Sequence, residues 1–154
     1  MENSQEVFTA PRRTMSYDRS SQLPDHWRLA RAAHVDLLLM GMPRVNLLLI
    51  APDAVVRFVL ESLLLDLREP ITRWTPGEPL IPPSPDGSGT LLLRDVHALP
   101  PADQLLLLDW LEQAEGRTQV VSTTATPLLP RVQCGEFIDT LYYRLNTVCV
   151  DVTR

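Results

Sequence analysis

The sequence predicts an α/β fold with a mostly parallel sheet. Three observations predict it: short, continuously apolar runs of strand length, longer segments with apolar residues at three- and four-residue spacing, and alternation of the two along the chain. Runs without polar interruption suit strands covered on both faces, and parallel strands need helical, right-handed crossovers to connect them.

Residues 1–24 carry Ser, Arg, Gln and Pro with few apolar anchors and read as a flexible tail. Residues 25–154 read as a single domain, whose length suffices to bury about two-thirds of the unfolded surface in one core. From Asp25 to about Met42 the residues Trp27, Leu29, Ala30, Ala33, Leu37 and Leu38 recur at helical spacing, with Asp25 placed to cap the helix. Val45 to Ala51 (VNLLLIA) is strand-like and is stopped by Pro52. Asp53 can cap a second helix, whose apolar face comprises Val55, Val56, Val59, Leu60, Leu63, Leu64 and Leu67.

Between Glu69 and Gly89 lie six prolines and three glycines, a density that predicts an irregular connection. Thr90 to Leu93 reads as a buried strand. Pro100 and Pro101 introduce a helix over Ala102 to Ala114 that Gly116 ends. Gln119 to Thr124 is a third β-rich run, Ile138 to Leu145 a fourth helix, and Thr147 to Val152 a last strand.

Composition narrows the function classes. A 45% hydrophobic and 21% charged chain with formal net charge -5 describes a globular protein, and without a basic stripe it lacks the field that draws proteins onto nucleic-acid backbones. The longest apolar stretches fall far short of the roughly 20 residues that span a bilayer, and the polar N-terminus lacks a secretory core, so the expected location is the cytoplasm. Cys134 and Cys149 lack metal or disulfide spacing and read as reduced, mostly buried thiols. His26, His34 and His97 are scattered, so no metal site is expected. Ser122, Thr123 and Thr124 lack a nucleophile elbow and read as strand-end hydroxyls bonded to backbone. All 14 basic residues are arginine; the chain contains no lysine.

Gly135, Phe137, Asp139 and the string LYYRLN from Leu141 to Asn146 form the most specific stretch. Gly89-Thr90-Leu91 opens a strand ahead of it, and Leu99-Pro100 followed by Gln104, Leu107 and Leu111 falls between. With these residues, Leu47 to Val152 resembles the AAA+ domain of sigma-54-dependent transcriptional activators, the bacterial enhancer-binding proteins. The resemblance implies a three-layer P-loop NTPase-like fold, the AAA+ core, here truncated and without its helical lid subdomain or DNA-binding domain.

At the positions where that family binds nucleotide, the residues differ. Aligned without a gap, Pro52, Val55 and Arg57 replace loop glycines, Asp53 lies among them, and Phe58 replaces the lysine. Proline offers no N–H, and valine resists positive φ. Arg94 and Asp95 replace the metal-binding aspartate and the catalytic glutamate, and an arginine repels magnesium. Ala125 replaces the polar sensor. Arg144 aligns with an arginine that reaches the neighbouring subunit's nucleotide; the competing reading is an ion pair with a local carboxylate such as Asp139. Arg94 with Asp95 reads as a buried ion pair, and Tyr142 and Tyr143 as packing residues.

The expectation is therefore a protein without enzymatic activity, catalytic residues, cofactor or metal. It would act in control of transcription through a protein partner, either an intact AAA+ sigma-54 activator that it joins or inhibits, or itself as a homo-oligomer. It would not remodel sigma-54 or bind DNA directly. Two alternatives are a self-assembling structural or adaptor module, and a residual nucleotide-binding ATPase with a non-standard site.

Overall fold

The structure is a computed structural model that describes residues 45–153, apart from the Ser62 side chain. The tail over residues 1–24 and the helix expected over 25–42 lie outside the described residues. In chain order the elements are β1 (Leu47–Ile50), α1 (Asp53–Leu63), β2 (Ile71–Trp74), β3 (Gly89–Leu93), a 3-10 turn (Val96–Ala98), α2 (Pro101–Ala114), β4 (Thr118–Thr124), α3 (Leu129–Gln133), α4 (Asp139–Leu145) and β5 (Val148–Asp151). The five strands form one parallel sheet in the order β2-β3-β4-β1-β5.

Alternation along each strand sends side chains to two separate cores. On one face Leu48, Ile50, Leu91, Leu93 and Val120 pack with Leu107, Trp110 and Leu111 of α2 and with Leu141 and Leu145 of α4. On the other face Leu47, Leu49, Leu92, Val121 and Val150 pack with Val56, Val59, Leu60 and Leu63 of α1. The expected three-layer arrangement is thus present, and the apolar face read for the second helix is the buried one. All four residues of β1 are buried, as its unbroken apolar run requires.

Three readings are corrected by the fold. The stretch from Glu69 to Gly89 contains a strand: ITRW is β-branched and aromatic, and Pro70 and Pro76 fall just outside it, at the sheet's edge where a missing donor is tolerated. Trp74 at its end is buried and donates from Nε1 to the Glu78 carbonyl at 2.8 Å. Asp53 does not cap α1. Pro52 occupies the N-cap, no side chain caps the helix, and Asp53 is the first helical residue. Cys134 is exposed and Cys149 only half-buried, because Cys134 ends the short helix α3, which contains no buried residue, and Cys149 lies on an edge strand.

Two polar residues tie the layers together. Asn46, just before β1, accepts the Val120 N–H at 2.9 Å and donates to the Arg144 carbonyl at 2.9 Å. Buried Gln104 on α2 donates to the carbonyls of Leu99 and Glu136 at 2.9 and 3.1 Å and accepts the Ile138 N–H at 2.9 Å. One amide thereby joins the turn before α2 to the loop before α4.

Gly89 is fixed by space and by backbone. Its φ is +142°, and a Cβ there would lie 2.4 Å from the Pro70 carbonyl oxygen. Gly89→Ala is expected to destabilise the fold by at least about 2 kcal/mol, and Gln104→Ala by about 1–3 kcal/mol through orphaned backbone groups. Urea denaturation of both variants against the parent, with exposed Leu105→Ala expected within about 0.5 kcal/mol of it, checks this.

Candidate functional site

Parallel strands deliver all their carboxyl ends to one edge of the sheet, and in open α/β sheets that edge, where strand order reverses, is where ligands sit. Here the reversal falls around β1: the chain leaves it to reach β2 at one edge, while β5 returns to its other side. The residues following β1, β3 and β4 are Ala51-Pro52, Arg94-Asp95 and Ala125. The sequence-predicted positions therefore do converge. The Ala51 N–H donates to the Thr124 carbonyl at 3.0 Å, binding the end of β1 to the end of β4.

Only Ala51 and Pro52 separate β1 from α1. The N–H groups of Val55 and Val56 both donate to the Pro52 carbonyl, at 2.9 and 3.0 Å, so helical bonding begins at once. Asp53 and Arg57 are exposed. Val55 and Phe58 are partly buried and turn toward the core under α1. The position aligned with a lysine thus carries an aromatic ring directed at the sheet.

Beyond β3, the Arg94 N–H donates to the Trp74 carbonyl at 3.0 Å, while its side-chain Nε is buried and has no hydrogen-bond partner. Asp95 adopts a left-handed conformation, φ 49° and ψ 50°, and its N–H meets the Thr123 hydroxyl at 3.4 Å. The expected Arg94–Asp95 ion pair does not form. Ion pairs instead join Arg117 to Glu115, Arg131 to Glu136 and Arg144 to Glu112. The left-handed turn at Asp95 diverts the chain into the 3-10 turn and separates the two side chains.

The hydroxyls on β4 divide. Thr124 Oγ1 donates to the Thr126 carbonyl at 2.8 Å and lies 3.0 Å from His97 Nδ1; Thr123 accepts from Asp95; buried Ser122 has no partner for its Oγ. Since the Thr124 proton is committed to Thr126, its contact with His97 requires the imidazole to carry its proton on Nδ1. Backbone bonding, as expected for these hydroxyls, holds for Thr123 and Thr124 and not for Ser122. Ala125 is exposed beyond them.

Arg144 lies elsewhere. Its carbonyl accepts from Asn46, at the amino end of β1, so it sits at the opposite end of the sheet from Pro52, Arg94 and Ala125. Its side chain reaches Glu112 on α2 at 3.8 Å. Asp139, the expected partner, instead accepts from the N–H and hydroxyl of Thr140 next to it. Glu112 was missed because its proximity depends on how α2 and α4 pack, which no local pattern encodes.

Residues 84–154, just under half of the chain, match the model of the Sigma-54 interaction domain family. This chain is related to the sigma-54 activators. The matched stretch holds Arg94, Asp95, Ala125 and Arg144, whereas Pro52 to Phe58 precede it. Among curated proteins no sequence matches. Solved structures give the same fold: NtrX from Brucella abortus superposes with a TM-score of 0.61 at 15% identity, over 84% of this chain and 37% of NtrX. NtrX in complex with ATP gives 0.61 at 17%, over 84% and 35%. The P-loop NTPase domain of a sigma-54 activator from E. coli gives 0.50 at 17%, over 71% of this chain and 97% of that domain. The chain spans little more than a third of the length of NtrX. These superpositions establish the fold, a P-loop NTPase-like parallel sheet.

Arg94 offers a test of the local electrostatics. Arg94→Met keeps the apolar stem and removes the unsatisfied Nε, so stability should stay the same or rise by about 1 kcal/mol. A loss larger than that on urea denaturation would show that the guanidinium makes a stabilising contact.

Proposed function

We propose that the chain is a non-catalytic regulatory relative of sigma-54 activators that works by protein–protein contact in the control of transcription, assembling with or inhibiting an intact AAA+ activator. The observation that carries this reading is the two-residue joint between β1 and α1. A triphosphate is held by a loop of convergent backbone N–H groups, by an ammonium and by a chelated divalent cation. At this joint there is no loop to wrap a phosphate, Pro52 contributes no donor, and Val55 and Val56 spend theirs on Pro52.

The other two requirements fare no better at these positions. The sequence has no lysine, Phe58 packs inward, and Arg94 places positive charge where a divalent cation would sit. The residues therefore do not fit a bound nucleotide, and no chemical step is assigned to one. What remains of the family's equipment is surface. Arg144 lies at the far end of the sheet from these positions, so within one chain it has no nucleotide-site neighbour to serve. A subunit of this kind can enter an assembly without turning over ATP in it.

Two measurements test the proposal. Isothermal titration with ATP and magnesium should show no binding at micromolar concentrations, and binding in that range would overturn the non-catalytic reading. Added to a purified, ATP-hydrolysing sigma-54 activator, the full chain should change its ATPase rate or ring stoichiometry. An activator unchanged on both counts at a saturating excess of the chain would overturn the regulatory one.

A further inference from the structure

We propose that the groove between the proline-rich segment and α2 is a docking site for a peptide segment of a partner protein, one carrying an apolar anchor side chain with an arginine or lysine close to it. The inference rests on the reading that the chain works through protein contacts, and it assigns those contacts a surface and a chemistry.

The groove has a volume of 620 Å³, within the range of ligand clefts, and is lined by Pro82, Pro83, Pro85, Leu106, Asp109 and Trp110 among others. It is preformed. Leu80 anchors the segment in the core, Trp110 is buried beneath it and donates from Nε1 to the Pro83 carbonyl at 2.7 Å, and three prolines restrict the backbone. Little ordering is left to be done on binding, which is where most interface energy is otherwise lost. The α2 wall also exposes an apolar side chain: Leu106 is 42% exposed. A large aliphatic residue left in water on the wall of a proline-edged cleft marks an interaction surface more than a packing fault.

Charge selects the occupant. Asp109 is the one charged residue among those that line the groove. Asp109 on the groove wall is exposed and takes part in no ion pair among the described residues. A carboxylate on the groove wall repels acidic segments and favours a cation beside the anchor. The open, proline-edged shape suits an extended or helical peptide resting across it, with the apolar anchor over Trp110 and Leu106.

The probe is a phage-displayed random peptide library selected on the full chain, with enriched sequences resynthesised and their affinities measured by fluorescence anisotropy. Enriched peptides should pair an apolar residue with an arginine or lysine within one helical turn. Leu106→Asp should weaken them at least about tenfold. Asp109→Arg should weaken them likewise and restore binding when the peptide's basic residue is changed to glutamate. Both positions are exposed, and unchanged circular-dichroism melting confirms that the variants fold.

The assignment is overturned if nothing enriches, if the enriched peptides are acidic, or if both substitutions leave binding intact. Sedimentation that shows the chain self-associating through this groove, and losing that association in Leu106→Asp, makes the occupant a second copy and also overturns it. Failure of the regulatory reading is separately visible, because an activator's ATPase can be unaffected while peptide binding and its Leu106 and Asp109 dependence persist.

Discussion

A parallel strand flanked on both sides and covered on both faces cannot expose one surface to relieve another. β1 is such a strand: it pairs with β4 and β5, and Leu47, Leu48, Leu49 and Ile50 are all buried, two toward each core. Its position dictates the remaining geometry. Because Ala51 is bonded to Thr124, the ends of β1 and β4 are held in register, and whatever follows each strand emerges at one shared rim. The α/β architecture thus continues to present a ligand edge irrespective of what residues occupy it.

α1 begins within two residues of β1, its early amides are engaged with Pro52, and the side chains that follow either face solvent, as Asp53 and Arg57 do, or pack inward, as Val55 and Phe58 do. Arg94 adds a positive charge whose Nε is desolvated and unpaired. Fold and site have separate physical determinants here. The sheet depends on apolar periodicity and survives exchange of one aliphatic residue for another, whereas a phosphate cradle depends on backbone donors that a single proline or an early helical start removes.

The same separation explains what the sequence disclosed. Strands with unbroken apolar runs and the helices after them were legible almost to the residue, since burial on both faces leaves no polar interruption. β2 was not. Its four residues lie between prolines that argue against a strand, and only its place at the sheet's edge makes them harmless. The convergence of Pro52, Arg94 and Ala125 could be anticipated from the resemblance to sigma-54 activators. The failure of Arg94 and Asp95 to pair could not, because it turns on one left-handed residue. Partnerships between elements, such as Arg144 with Glu112 and Gln104 with Glu136 and Ile138, depend on interhelical packing and left no mark in the linear pattern.

The bracketing of β2 also limits how copies of the molecule can meet. Pro70 and Pro76 confine the exposed rim of the sheet to a few residues, and because Pro70 and Trp74 direct their carbonyls at β3, the outward positions are Ile71 and Arg73. An approaching strand would find too short a ladder, one of whose two rungs bears a charge that strongly prefers water. Continuation of the sheet from molecule to molecule along this rim is thereby discouraged. Any assembly made on this side must instead be side chain to side chain, with the specificity and reversibility that follow.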